Sequence, residues 1–185
     1  MILTEGGRSA FPMLATRMGF KEIEDTSITS PEGSRSTTVW EVEAGLKVVY
    51  TKDELSETEY VQVLGDEPDS VAGIAGALGD LGTYEYEELL DSYRGADSVD
   101  KKALSLIRVG VGAPPVMDEE FCDCIIEALA SDEPQLREAG LWGASFYAVR
   151  EFIPFIEEIA RTEVDKDMKE TAELMLEIYH QRGLK

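Results

Sequence analysis

The sequence has few of the residues that most metal and catalytic sites require. Among its 185 residues are one histidine, His180, and two cysteines, Cys122 and Cys124. A zinc site needs several His or Cys ligands, and any Ser-His-Asp or Cys-His catalytic set would have to use His180. We therefore predict no metal, no cofactor and no catalytic residues, and we interpret His180 as an exposed or helix-capping side chain.

The two cysteines are too close in sequence to favour a bridge. On a helix, residues two positions apart point in different directions, which is unsuitable for a disulfide. We interpret Cys122 and Cys124 as small apolar core residues in a reducing compartment.

Long hydrophobic runs are also absent. The longest apolar segments fall far below the roughly 20 residues that span a bilayer, and residues 1–20 lack the apolar core of a secretory signal. We expect a cytoplasmic protein without a membrane partner.

Basic residues are scarce. Only 17 Lys and Arg accompany 38 Asp and Glu, which gives a net charge of −21. Nucleic acids are bound through Lys and Arg, so we expect no nucleic-acid partner. A basic protein partner is compatible with this charge, and the alternative is that the charge serves solubility alone.

The segment over residues 1–64 favours a small β-containing module. We predict a short helix over residues 11–18 and a polar, turn-rich loop over 27–34. Alternating segments predict a hairpin of strands over 38–43 and 46–50, followed by a third strand over 60–64. Such a meander needs a helix to cover one face.

From residue 66 onward the hydrophobic period changes to that of helices. Asp66-Glu67-Pro68 and Asp132-Glu133-Pro134 each precede an amphipathic pattern, as does Asp165. Asp165 follows Asp132 at half the interval that separates Asp132 from Asp66, and a segment near Val99 occupies the remaining position of this repeat. Such a period indicates a solenoid, in which each unit buries its apolar face against its neighbours.

The helical segments are predicted to pair as hairpins, each with its own start signal. We expect Asp118 and Asp165 to act as N-caps and Pro134 to lie in a first helical turn. The predicted hairpins cover residues 66–95, 99–129 and 131–159, and one closing helix begins after Asp165 and ends at Gly183. Four glycines within them are expected to allow close helix crossings, since glycine is otherwise unfavourable in helices: Gly73, Gly76, Gly140 and Gly143.

Residues 132–139, DEPQLREA, resemble the first helix of HEAT-type repeats, where Asp, Pro, an apolar residue, Arg and Ala recur in that order. Met168, Lys169 and Ala172 occupy the corresponding apolar, basic and Ala positions of the segment that begins at Asp165. The resemblance covers about residues 66–185 and implies paired helices in an α-solenoid, without implying a function. The predicted fold is thus α+β: a β-meander and helix cap over 1–64, then three to four HEAT-like hairpins over 65–185.

Acidic residues recur on the second helix of each hairpin, away from the apolar stripe. Stacked second helices would place these residues on one surface, where like charges repel and a basic partner would relieve the repulsion. The alternative is an ordinary solvated face. Tyr147 is added as a surface aromatic anchor, and the predicted partner-binding residues are Glu85, Glu88, Asp91, Glu119, Glu120, Asp123, Glu127, Tyr147, Glu157 and Glu158.

Small, strongly acidic, cytoplasmic proteins without catalytic residues are similar in character to bacterial toxin-immunity proteins. Such proteins occlude basic nuclease toxins. We therefore expect a non-enzymatic protein that binds and neutralises a basic toxin through its acidic surface. The alternatives are an adaptor or chaperone subunit of a larger assembly, which predicts an apolar patch, and a bilin-lyase-like HEAT protein, which predicts a deep aromatic pocket.

Overall fold

The computed structural model describes residues 1–30, 33–79 and 81–184, apart from the side chains of Ser9 and Ser30. Its secondary structure is mixed, with a four-stranded antiparallel sheet and helices, so the predicted α+β class is confirmed. In chain order the elements are α1 (Glu5–Arg17), β1 (Lys21–Ser30), β2 (Gly33–Glu43), β3 (Leu46–Asp53), β4 (Thr58–Leu64), α2 (Pro68–Gly79), α3 (Tyr86–Arg94), α4 (Val99–Gly112), α5 (Glu119–Leu129), α6 (Pro134–Phe146), a 3-10 turn (Arg150–Phe152), α7 (Ile153–Thr162) and α8 (Lys166–Gln181). No helix within the described ranges is both long and apolar enough to cross a membrane.

The sheet is a meander in the order β1-β2-β3-β4. The three predicted strands are confirmed, but the loop predicted over residues 27–34 is wrong. Residues 27–30 belong to β1 and residues 33–34 to β2, while Pro31 and Glu32 lie outside the described residues. Strand β1 is an edge strand with exposed side chains, so backbone pairing with β2 forms it without an alternating apolar pattern.

The sheet is covered by α1, as the meander requires. Phe11 of α1 is fully buried and stacks on Tyr50 of β3, with ring centroids 5.0 Å apart. Trp40 of β2 approaches Phe11 edge-on at 5.2 Å. Val48 and Leu78 join the same core. The helix predicted over residues 11–18 is confirmed, and it begins earlier, at Glu5, because Thr4 caps it.

The chain divides into two compact units, Met1–Glu85 and Tyr86–Lys185. The predicted boundary after residue 64 places helix α2 in the second domain, whereas this division places it in the first unit. Leu78 of α2 is buried in the core of that unit. The predicted hairpin over residues 66–95 is therefore divided between the units, with α3 in the second.

The second unit arranges helices α3 to α8 in two layers. One layer contains α3, α5 and α7, in which α5 contacts both others. The other contains α4, α6 and α8, in which α6 contacts both others. Between layers, the consecutive helices that pack most extensively are α3 with α4, α5 with α6, and α7 with α8. The predicted hairpins paired α4 with α5 and α6 with α7, so the pairing is shifted by one helix.

The predicted helix starts of the second unit are confirmed. Asp118 Oδ1 accepts hydrogen bonds from the backbone N–H groups of Glu120 and Phe121, at 3.0 and 3.3 Å. Asp165 Oδ1 accepts one from Met168 N at 2.9 Å. Pro134 opens α6, where its missing N–H has no intrahelical partner to lose.

Glycine permits the closest helix contact, although not at every position that the sequence predicts. A Cβ atom added at Gly110 of α4 would lie 2.5 Å from the carbonyl oxygen of Gly143 in α6. A Cβ at Gly140 would lie 3.0 Å from Leu129 N of α5, so the predictions for Gly140 and Gly143 agree with close packing. The prediction is wrong for Gly73 and Gly76, because no described atom beyond the chain neighbours and the nearby backbone of α2 lies within 4 Å of a Cβ added there.

Candidate protein-binding surface

The predicted acidic residues of α3, α5 and α7 are all exposed, and they lie on the three helices of one layer. We call this set the acidic layer; it comprises Glu88, Asp91, Glu119, Glu120, Asp123, Glu127, Glu157 and Glu158. Glu85 is also exposed, but it ends the first unit and is not part of this set.

The local sequence explains why α5 presents its carboxylates outward. Phe121, Ile125 and Leu129 recur every four residues and are at most 2% exposed, so they fix the inward face of the helix. The acids at positions 119, 120, 123 and 127 then fall on the opposite side, by the 3.6-residue period. Asp118 caps the helix, and the positive end of the helix dipole stabilises the acidic side chains in its first turn.

Arg94, Lys102 and Arg161 enter the acidic layer, and the first two pair with acids on another helix. Arg94 of α3 forms an ion pair with Glu120 of α5 at 2.6 Å, and Lys102 of α4 forms one with Glu127 at 2.9 Å. The partners are too distant in sequence for any local helical spacing to predict them. Both pairs join neighbouring helices, and the hydrogen bond to Glu120 raises the pKa of Arg94.

Arg161 forms an ion pair with Glu158, three residues earlier on α7, at 2.6 Å. Four carboxylates of the acidic layer form no ion pair with a Lys or Arg within the described part of the chain. They are Asp91, Glu119, Asp123 and Glu157. Each of the three helices therefore contributes at least one carboxylate that a basic partner can reach without displacing an internal pair.

Tyr93 fastens α3 beneath this surface. Its hydroxyl donates to the carbonyl oxygen of Cys124 at 3.4 Å, and Lys102 Nζ lies 4.8 Å from its ring centroid. Burial, together with the nearby Glu127, raises the pKa of Tyr93, so the phenol remains a neutral donor at neutral pH. The position of the acids on α3 and α5 is thus set by a buried contact.

The prediction that Tyr147 lies at the surface is wrong. Its side chain is 7% exposed, because it packs edge-on against Phe152 at 6.2 Å. Its hydroxyl accepts a hydrogen bond from Asp118 N at 2.7 Å and donates to Val116 O at 3.3 Å. Tyr147 therefore holds the segment that leads into α5, rather than a partner.

The cysteines behave as predicted for core residues. Cys122 and Cys124 are free and buried, and burial raises the pKa of both thiols. Among the described residues, no group of three or more His, Cys, Asp and Glu side chains is placed to hold a metal ion.

Comparison with protein-family models, with curated proteins and with solved structures finds no match to this chain. The geometry of the acidic layer is therefore the ground on which a function is proposed.

Proposed function

We propose that the second unit is a HEAT-like helical repeat domain that binds a basic protein through the acidic layer. The spacing of its helices supports the repeat. Along one layer, α3, α5 and α7 begin at Tyr86, Glu119 and Ile153, so their starts are almost evenly spaced. Gly110 and Gly143, which meet between α4 and α6, are separated by the same interval as the starts of α3 and α5. Equal spacing within each layer is typical of stacked two-helix repeats.

The binding proposal rests on carboxylates of adjacent helices that form no ion pair with another described residue. Asp91, Asp123 and Glu157 lie on α3, α5 and α7 in turn, and all three are exposed. Like charges on one surface repel one another, so the free protein carries an electrostatic cost that a basic partner removes. The same field accelerates encounter with such a partner, most strongly at low salt.

The partner class that fits best is a basic nuclease toxin, which makes this chain an immunity protein. A nuclease must carry Lys and Arg along its nucleic-acid groove, because phosphate contacts dominate that binding. An inhibitor that occludes the groove needs a carboxylate surface, and the exposed acids of α3, α5 and α7 support such a role. The net charge of −21 adds long-range attraction to the same partner.

The test is calorimetric titration of the full chain with the basic proteins encoded beside its gene. We expect saturable one-to-one binding to one of them, with an affinity that falls as salt rises, and loss of any nuclease activity in the complex. No saturable binding to any basic protein from that neighbourhood would refute the immunity proposal.

One observation favours a second candidate, an adaptor within a larger assembly. Leu174 and Ile178 lie four residues apart on α8 and are 57% and 37% exposed, so they form a small apolar pair on the surface. A partner held there would bind with little dependence on salt, whereas the acidic layer predicts a steep dependence.

A further inference from the structure

The first unit contains a groove that the acidic layer does not involve. Side chains from α1 and all four strands line it. Its volume of about 400 Å³ is within the range of volumes found for small-ligand sites. The antiparallel register explains why its polar groups converge. Thr38 of β2 pairs with Asp25 of β1 on one side and with Tyr50 of β3 on the other. Two residues further along β2, Trp40 pairs with Glu22 of β1.

One end of the groove is internally satisfied. The Tyr50 hydroxyl donates to Glu59, and Lys52 Nζ lies 3.9 Å from the same carboxylate. Burial and the hydrogen bond to Glu59 raise the pKa of Tyr50, so this phenol stays protonated. Lys52, Tyr50 and Glu59 therefore form a closed set that leaves little charge for a ligand.

The other end of the groove carries a cation, Arg8, and two carboxylates, Glu22 and Asp25. The Nε atom of Arg8 is buried and has no hydrogen-bond acceptor in the described part of the chain. Buried donors without acceptors are rare in folded proteins, so the Arg8 guanidinium, which lines the groove, is short of an acceptor. Asp25 accepts one hydrogen bond, from Thr38 Oγ1 at 3.2 Å. Neither Asp25 nor Glu22 forms an ion pair among the described residues.

We propose that this groove binds a free α-amino acid with a cationic side chain, of the arginine or lysine class. Its carboxylate would lie against the Arg8 guanidinium, and its two cationic groups would face Glu22 and Asp25, since all three side chains line the groove. Outside the closed set of Lys52, Tyr50 and Glu59 the charges correspond, because one cation and two carboxylates of the groove would meet one carboxylate and two cations of the ligand. Trp40 supplies an aromatic surface on which a guanidinium or ammonium group is favoured. This site does not depend on the function proposed for the acidic layer.

The experiment uses three probes that separate the two ends of the ligand. The full chain is titrated calorimetrically with L-arginine, with agmatine, which lacks the carboxylate, and with norvaline, which lacks the cationic side chain. We expect saturable binding of L-arginine, with agmatine and norvaline each weaker by about tenfold or more, since each loses one charged contact.

Two variants assign the contacts. Arg8→Gln should remove the preference for L-arginine over agmatine, whereas Arg17→Gln, at an exposed site on the same helix, should preserve it. Asp25→Asn, on the exposed strand β1, should weaken L-arginine and agmatine alike, and it keeps the test decisive if Arg8→Gln does not fold. The proposal is overturned if L-arginine does not bind saturably at millimolar concentration, or if native protein binds agmatine as tightly as L-arginine.

Discussion

Replacing Gly110 by alanine tests the packing of the second unit most sharply. The added methyl group would lie 2.5 Å from the carbonyl oxygen and 2.6 Å from the Cα of Gly143. Ordinary van der Waals contact begins near 3.4 Å. Both atoms belong to the backbone of α6, which has no rotamer to change, so α4 and α6 must separate by about 1 Å.

The expected cost follows from the two opposing effects. Overpacking of a tight contact costs about 1–3 kcal/mol, and here the upper end applies because backbone meets backbone. Alanine returns up to about 1 kcal/mol of helix propensity. The free energy of unfolding should therefore fall by about 2 kcal/mol, which lowers Tm by about 4–8 °C for a chain of this size.

The matched control lies in the same contact. A Cβ at Gly143 would meet its nearest atoms, on Ile125 and Leu106, at 3.5 Å, which is ordinary contact. Gly143→Ala should therefore leave Tm unchanged or slightly raised. Scanning calorimetry of both variants distinguishes the two cases. The described contact between Gly110 and Gly143 would be contradicted if Gly110→Ala is as stable as the native chain, or if Gly110→Ala and Gly143→Ala lose the same stability.

Three further predictions concern single side chains. Tyr147→Phe loses two hydrogen bonds of a buried hydroxyl, so the free energy of unfolding in urea titrations should fall by about 1–2 kcal/mol while partner affinity stays unchanged. A variant that is as stable as the native chain but binds the partner more weakly would show that Tyr147 contacts the partner. The Arg137 guanidinium lowers the pKa of Glu163, so this pair stabilises the fold above the unfolded pKa of Glu and loses its effect as pH falls through the lower folded value. Glu163→Gln should therefore cost about 1 kcal/mol at pH 7, and a difference from the native chain that persists unchanged at acid pH would contradict this. Glu157→Lys and Glu158→Lys change the net charge equally, so each should slow association with a basic partner to the same degree. Glu157→Lys should raise the dissociation rate more, by about threefold or more, because Glu158 already forms an ion pair with Arg161. Equal dissociation rates of the two variants in stopped-flow measurements would show that this internal pair is irrelevant.

Features encoded within a few residues can be predicted from the sequence. The caps at Asp118 and Asp165 depend on a side chain and a backbone N–H two or three residues away, so their pattern is visible locally. The outward direction of the α5 acids follows in the same way from the apolar period of that helix. No part of strand β1 is predicted from the sequence, because an exposed edge strand needs no apolar alternation.

Features that depend on distant partners cannot be predicted in this way. In the sequence, Gly110 resembles a glycine that ends a helix. A glycine inside a helix has the same local pattern, and the two cases differ only in whether another helix packs closely against the glycine, as α6 does here. The ion pair of Arg94 with Glu120 joins residues 26 positions apart. Tyr147 resembles an exposed residue because the two backbone groups that its hydroxyl contacts lie 29 and 31 positions earlier in the chain.

The acidic layer as a binding surface is tested most directly by two triple charge reversals. Asp91→Lys, Asp123→Lys and Glu157→Lys together alter the layer, while the matched control makes the same change in charge at exposed acids of α6 and α8: Glu138→Lys, Glu173→Lys and Glu177→Lys. Calorimetric affinity for the basic protein encoded beside the gene should fall by about tenfold or more in the first variant and stay within about threefold in the control, with both folded by circular dichroism. Equal losses in the two variants, or no loss in either, would contradict binding through α3, α5 and α7.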